Sequence, residues 1–212
     1  MLQAEAVLFD LDGTVIDSYP GIQKAFDNAY RKIYSVANTT VIRPFIGPPI
    51  PIILGKVNGE TDADKIEEFV RLFKEFYDSE DFKLSVLYEG MKELLDDLRD
   101  RGTRLFIATN KRQKPTELIT RHLDIERYFC ALYCIDSKNG YSSKAEMVKD
   151  ILETEGLSNE KCVLIGDSYQ DQAAAEPNNI TFIYAAYGYG NLNKVDRIIK
   201  EPLDTLEFIN NF

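Results

Sequence analysis

The chain has one histidine and three cysteines, a thin supply of the groups that usually activate nucleophiles or ligate soft metals. A Ser-His-Asp or Cys-His mechanism would have to run through His122. A thiolate metal site would have to gather Cys130, Cys134 and Cys162 with that same histidine. Pro115 opens a helical pattern that sets His122 beside Leu118, Ile119 and Leu123, so a packed or half-exposed structural imidazole is expected. The cysteines are odd in number and lie in apolar runs, which predicts reduced, buried thiols. Positive charge is also short: 25 Lys and Arg stand against 35 Asp and Glu, and a net charge of −10 repels phosphate backbones and anionic lipid. Nucleic-acid and membrane partners are not expected. No stretch approaches the roughly 20 consecutive apolar residues of a spanning helix. Met1–Glu5 lacks the basic start of a secretory signal, so a cytoplasmic protein, monomeric or weakly dimeric, is expected. Neither G-x-x-x-x-G-K-[ST] nor a complete G-x-G-x-x-G occurs, since Gly188-Tyr189-Gly190 stops short at Asn193.

What is present is a globular composition, with 44% hydrophobic residues in 212. Short apolar runs recur at Ala6–Phe9, Arg104–Ala108, Ala131–Ile135, Lys161–Ile165 and Thr181–Ala185 and read as buried parallel strands. Helical patterns lie between them, one through Met91, Leu94, Leu95 and Leu98 and another through Met147, Val148, Ile151 and Leu152 that stops at Gly156. Alternation of this kind predicts a doubly wound α/β sheet. The interval from the first strand to the second is far too long for one crossover helix. It holds two amphipathic patterns, Ile22-Phe26-Ala29-Ile33 and Ile66-Phe69-Val70-Phe73-Tyr77, the second with Thr61 or Asp62 placed to cap it. Residues 17–85 are therefore expected to form a small helical cap domain, with 1–16 and 86–212 making the core. Between the helices, Arg43-Pro44-Phe45-Ile46-Gly47-Pro48-Pro49 is expected to be a rigid loop without regular structure.

Chemistry collects at strand ends. The first strand runs into Asp10-Leu11-Asp12-Gly13-Thr14, where acids two residues apart leave an extended segment toward the same side. Like charges that close are costly unless a proton or a hard divalent cation separates them. A second acidic pair, Asp167 and Asp171, follows the fourth strand, although that spacing equally fits an N-cap and a first-turn acid. Thr109-Asn110 ends the second strand, and Lys144 begins a helix, where lysine is ordinarily a solvated charge. Ligands of open α/β sheets bind at the carboxyl ends of strands, so these groups can converge.

Their order and intervals resemble the haloacid dehalogenase superfamily of phosphotransferases, along the whole chain. The resemblance implies a Rossmann-like core with an inserted helical cap, and Mg²⁺-dependent hydrolysis of a small phosphate monoester through an aspartyl-phosphate. It makes Asp10 the nucleophile and Asp12 the general acid and base. The Asp10 side chain, the Asp12 carbonyl and Asp167 would hold the metal, Asp171 would support that shell, and Thr109, Asn110 and Lys144 would hold the phosphoryl group. Cap size and Ile46-Gly47-Pro48-Pro49 look like the phosphoglycolate phosphatase-like branch. Ala145 stands where many relatives have proline, and Pro177-Asn178-Asn179 replaces the usual Ala-Gly. A sugar-phosphate mutase on the same scaffold is the enzymatic alternative. A phosphorylated receiver domain is the non-enzymatic one, though it needs no lid. Residues 28–59 contain Arg31, Lys32, Arg43 and Lys56 but no acid, which makes Arg43 a candidate for pairing with a second anionic group on the substrate.

Overall fold

The computed structural model describes residues 4–138 and 140–210. Contacts between residues divide the chain into two compact units, Met1–Asp17 with Leu87–Phe212, and Ser18–Val86.

The larger unit is built on a six-stranded parallel sheet. Its strands are β1 (Ala6–Phe9), β4 (Arg104–Thr109), β5 (Ala131–Cys134), β6 (Cys162–Gly166), β7 (Thr181–Ala185) and β8 (Ile198–Ile199). The short strands β2 (Ile16–Asp17) and β3 (Val86–Leu87) form a separate two-stranded sheet. The order across the main sheet is β5-β4-β1-β6-β7-β8, so the chain builds outward from β1 on one side and then returns to build on the other. The strand order reverses at β1, and its carboxyl end is the switch point where open α/β sheets bind ligands. Phe9 is in register with Ile107 on one neighbour and Ile165 on the other, so all three central strands end level.

Both sheet faces are covered, which is why these strands are almost continuously apolar. Ala6, Leu8, Phe106, Ala108, Cys162 and Leu164 pack with Met147, Val148 and Ile151 of α6 (Lys144–Glu155) and Ala174 and Ala175 of α7 (Tyr169–Ala175). Alternation leaves Val7, Phe9, Leu105, Ile107, Val163 and Ile165 on the opposite face, and all of these are buried. The helices α4 (Met91–Asp100) and α5 (Gln113–His122) and the short terminal α8 (Thr205–Ile209) complete the unit. Helix α6 stops where the apolar pattern ends, with Gly156 in the left-handed conformation as its cap.

The smaller unit consists of α1 (Tyr19–Tyr34), α2 (Ile50–Asn58) and α3 (Ala63–Ser79). The amphipathic faces of α1 and α3 meet, with Phe26 and Phe69 edge to face at 4.9 Å and Phe73 stacked on Tyr77. Asp62 caps α3 by accepting from the Asp64 and Lys65 amides.

Three expectations need correction. The Arg43–Pro49 segment is not wholly irregular, since Arg43–Phe45 is a 3₁₀ turn, and the helix α2 that follows was not foreseen. His122 is exposed at the end of α5 rather than packed or half-exposed, because the buried face of that helix is made by Pro115, Thr116, Ile119 and Thr120. Cys134 and Cys162 are buried thiols, but Cys130 is exposed.

Candidate active site

The carboxyl end of β1 is where the sheet's polarity changes abruptly. The Asp10 amide still donates to the Ile165 carbonyl at 2.9 Å, as though the strand continued. The chain then turns tightly around the Leu11 carbonyl, which accepts from the amides of Thr14, Val15 and Ile16. Gly13 makes the turn possible with φ +88°, and a side chain there would also collide with Asp167, whose Oδ2 lies 2.3 Å from where a Cβ would stand.

The Asp10 side chain is buried and accepts from the Lys144 ammonium at 2.5 Å. The same ammonium reaches Asp171, so one lysine at the start of α6 bridges acids from β1 and α7. Lys144 is thus a buried group, not a solvated one. The second oxygen of Asp171 accepts from the Ser168 amide at 2.9 Å and the Ser168 hydroxyl at 2.5 Å, closing a capping box on α7. Ser168, not Asp167, is the N-cap. Asp167 follows β6, and its Oδ2 accepts from the amides of Tyr189 at 2.6 Å and Gly190 at 3.2 Å.

Asp10, Asp167 and Asp171 each offer an oxygen within 4.8 Å of the others, and all three are buried. Three carboxylates against one ammonium leave two negative charges uncompensated in a dry place, which is costly. Burial, followed by the neighbouring carboxylates, pushes the Asp10 carboxyl well above its ordinary value, against the pull of Lys144. Burial and Asp171 push Asp167 up to about 6 despite its two amide donors. Burial works against the charge on Lys144, but its carboxylate partners outweigh that and raise its pKa. A hard divalent cation bound by oxygens would relieve the excess, and the donor set suits one.

Thr109, buried at the end of β4, accepts from the Lys111 amide at 3.1 Å and keeps its own hydroxyl proton to donate. The neighbouring Asn110 donates to Gln170 at 2.8 Å. Asp12 stands apart from the trio, with both of its oxygens 3.0 Å from the Lys111 ammonium. The two acids that follow the first strand therefore have separate lysine partners, Lys144 for Asp10 and Lys111 for Asp12. Arg43 belongs to the smaller unit, where its guanidinium lies 5.7 Å from the centre of the Tyr19 ring.

Two features escaped the sequence reading. Lys111 follows Thr109-Asn110 directly, yet nothing in an isolated lysine says that it faces Asp12. The segment Gly188-Tyr189-Gly190, an incomplete dinucleotide motif, here presents backbone amides to a carboxylate. Its glycines are required by close approach: a Cβ on Gly190 would stand 1.9 Å from the Asp167 carbonyl oxygen. The buried cysteines take no part, since burial pushes the Cys134 thiol up to about 11 and Cys162 up to about 12, leaving both protonated at neutral pH.

Comparison with known proteins gives matches to one family under several activity names. The family model described as haloacid dehalogenase-like hydrolase matches residues 7–185. A protein of Pseudomonas aeruginosa named 5′-nucleotidase is 31% identical over 87% of this chain and 84% of its own length. A phosphoglycolate phosphatase of Vibrio cholerae is 28% identical over 90% and 88% respectively. Among solved structures, a haloacid dehalogenase-like family hydrolase from Streptococcus pneumoniae superposes with a TM-score of 0.87 at 26% identity, covering 96% of this chain and 97% of that one.

Proposed function

The chain belongs to the haloacid dehalogenase-like hydrolases and is an enzyme of their phosphatase kind, and from that premise we propose that it hydrolyses a small phosphate monoester through an aspartyl-phosphate on Asp10. The observation that carries this reading is the buried trio Asp10, Asp167 and Asp171 around a single lysine at the sheet's switch point. Asp10 Oδ attacks phosphorus, and the bond to the leaving oxygen breaks as Asp12 gives that oxygen a proton. Asp12 then takes a proton from the water that attacks the acyl-phosphate, and inorganic phosphate leaves. Lys144 and the Thr109 hydroxyl hold the non-bridging oxygens, with Asn110 beside them, and Asp171 orients Lys144. Mg²⁺, held by the Asp10 side chain, the Asp12 carbonyl and Asp167, would supply positive charge that lets a carboxylate approach an anion. The enzyme is expected to work in the cytoplasm without nucleic-acid or membrane partners.

Phosphoglycolate is the leading substrate, supported by the relatives of that name and by the acid-free stretch around Arg43, which would select a second anion. A nucleoside monophosphate is the second reading, favoured by the 31% identical 5′-nucleotidase. Both are tested by assaying phosphoglycolate, nucleoside monophosphates and p-nitrophenyl phosphate with and without Mg²⁺. Wild type should require the metal and form an acid-stable, hydroxylamine-sensitive phosphoenzyme, and Asp10→Asn should do neither. Turnover retained by Asp10→Asn would overturn the nucleophile, and metal-independent turnover would overturn the role of the trio.

A further inference from the structure

We infer that Lys111 is a positioning residue that fixes the orientation of the Asp12 carboxylate, an inference that rests on the acid and base role proposed for Asp12. The backbone of Lys111 is pinned at both ends. Its amide donates to Thr109 Oγ1 at 3.1 Å, and its carbonyl accepts from the Ile135 amide at 3.3 Å, so the ends of β4 and β5 set where the side chain starts. Its ammonium lies 3.0 Å from each oxygen of Asp12, a symmetric grip that holds the carboxylate plane as well as its position.

The pair is not a surface ion pair of the kind that contributes little. The side chains are 8% exposed for Lys111 and 18% for Asp12, so solvent and salt screen the contact weakly and the lysine has few other conformations to lose. The turn that carries Asp12 is held through backbone hydrogen bonds to Leu11 and Ile16, which leave the carboxylate its own side-chain torsions. A general acid must place its oxygen within about 3 Å of the leaving oxygen, and an error of about 1 Å can cost 100-fold. Lys111 removes the torsional freedom that would allow that error. The other cation of the site is already committed, since Lys144 bridges Asp10 and Asp171. The two lysines therefore divide the labour: Lys144 serves the acids of the trio, and Lys111 the acid that exchanges protons.

The test is a leaving-group series, from p-nitrophenyl phosphate to phosphoglycolate, run on wild type, Lys111→Met, Lys111→Arg, Asp12→Asn and the Lys111→Met/Asp12→Asn double variant, with melting temperatures for each. For Lys111→Met, kcat should fall about 10-fold or more on the poorest leaving group and less than about 3-fold on p-nitrophenyl phosphate, with KM held within about 2-fold. Lys111→Arg should recover most of the loss. In the Asp12→Asn background, Lys111→Met should add nothing further. A loss equal across the series, a loss that multiplies that of Asp12→Asn, or a KM rise confined to phosphoglycolate would each overturn the inference, the last by making Lys111 a direct ligand of the substrate. A sloped series for Asp12→Asn with a flat one for Lys111→Met would overturn this inference alone. A flat series for Asp12→Asn would overturn the acid role itself.

Discussion

Asp167 is held by two backbone amides in a crowd of acids, and at the scale of single residues this has a pH signature. Its folded-state pKa, pushed up to about 6, lies above the ordinary carboxyl value near 3.8. An acid whose pKa rises on folding binds its proton more tightly in the native state, so metal-free stability falls as pH climbs from about 4 to about 6 and stays low above that. Replacing the carboxylate by an amide of the same shape removes that penalty. In the presence of a chelator, Asp167→Asn should melt a few degrees above wild type at pH 7.5, with the gap closing toward pH 4. Added Mg²⁺ should then raise the melting temperature of wild type and leave the variant unmoved. A wild type more stable than the variant at pH 7.5 without metal would show that Asp167 is held by its amides at no electrostatic cost. At this scale, Asp10 and Asp12 stood out in the sequence because two acids and Gly-Thr directly after an apolar strand have few innocent explanations, whereas Asp167 and Asp171 equally fitted an N-cap and a first-turn acid and gained weight only from topology. Lys111 was not, because a lysine is ordinary almost anywhere and only the fold brings it to Asp12. The amide clamp from Tyr189 and Gly190 was hidden for another reason: backbone groups carry no residue type.

Legibility at the scale of elements follows burial. The five strand runs read from sequence lie within a residue or so of the observed strands, because a strand covered on both faces has no polar positions to confuse the pattern. Strand β8 is only Ile198–Ile199, too short for any period to register. Helix α2 was missed because Pro44, Pro48 and Pro49 just before it were read as breakers of a loop and no pattern was sought beyond them. Pro49 is the N-cap and Pro51 lies in the first turn, where the missing amide hydrogens would be unsatisfied anyway. Helix α3 starts where an N-cap was expected, at Asp62 rather than Thr61. That cap satisfies two amides, so Asp62→Ala should lower unfolding free energy by about 1 kcal/mol, read by urea titration. Asp62→Asn, which keeps an acceptor, should cost less. An alanine variant as stable as wild type would mean that water replaces the cap fully.

For the whole molecule, the dominant electrostatic fact is a net charge of −10 facing an anionic substrate. The lysines at the site do little to offset it at long range, since Lys111 and Lys144 are each paired with acids. Encounter is therefore uphill, and salt should help. Screening shortens from about 30 Å at 0.01 M to about 8 Å at 0.15 M ionic strength. Across that range kcat/KM should rise severalfold for trianionic phosphoglycolate and less for p-nitrophenyl phosphate, with kcat steady. A fall with salt would mean that a local positive field governs capture. The sheet's parallel, doubly wound class was readable from alternation alone, but the strand order, and with it the position of β1 at the centre, required the structure.

That central position also sets a timetable for the chain as it emerges from the ribosome. Strand β1, which leads into Asp10, precedes its partners β4 and β6 in the chain by roughly 100 and 150 residues. At about 5 to 20 residues per second, Ala6–Phe9 waits several seconds or more as an unpaired apolar segment, the kind of edge that invites aggregation. The helices of Ser18–Val86, by contrast, make their contacts close in sequence and can form while β1 waits. The two halves of the sheet can meet on either side of β1 only after β6 has been made, so the strand that leads into Asp10 is completed late.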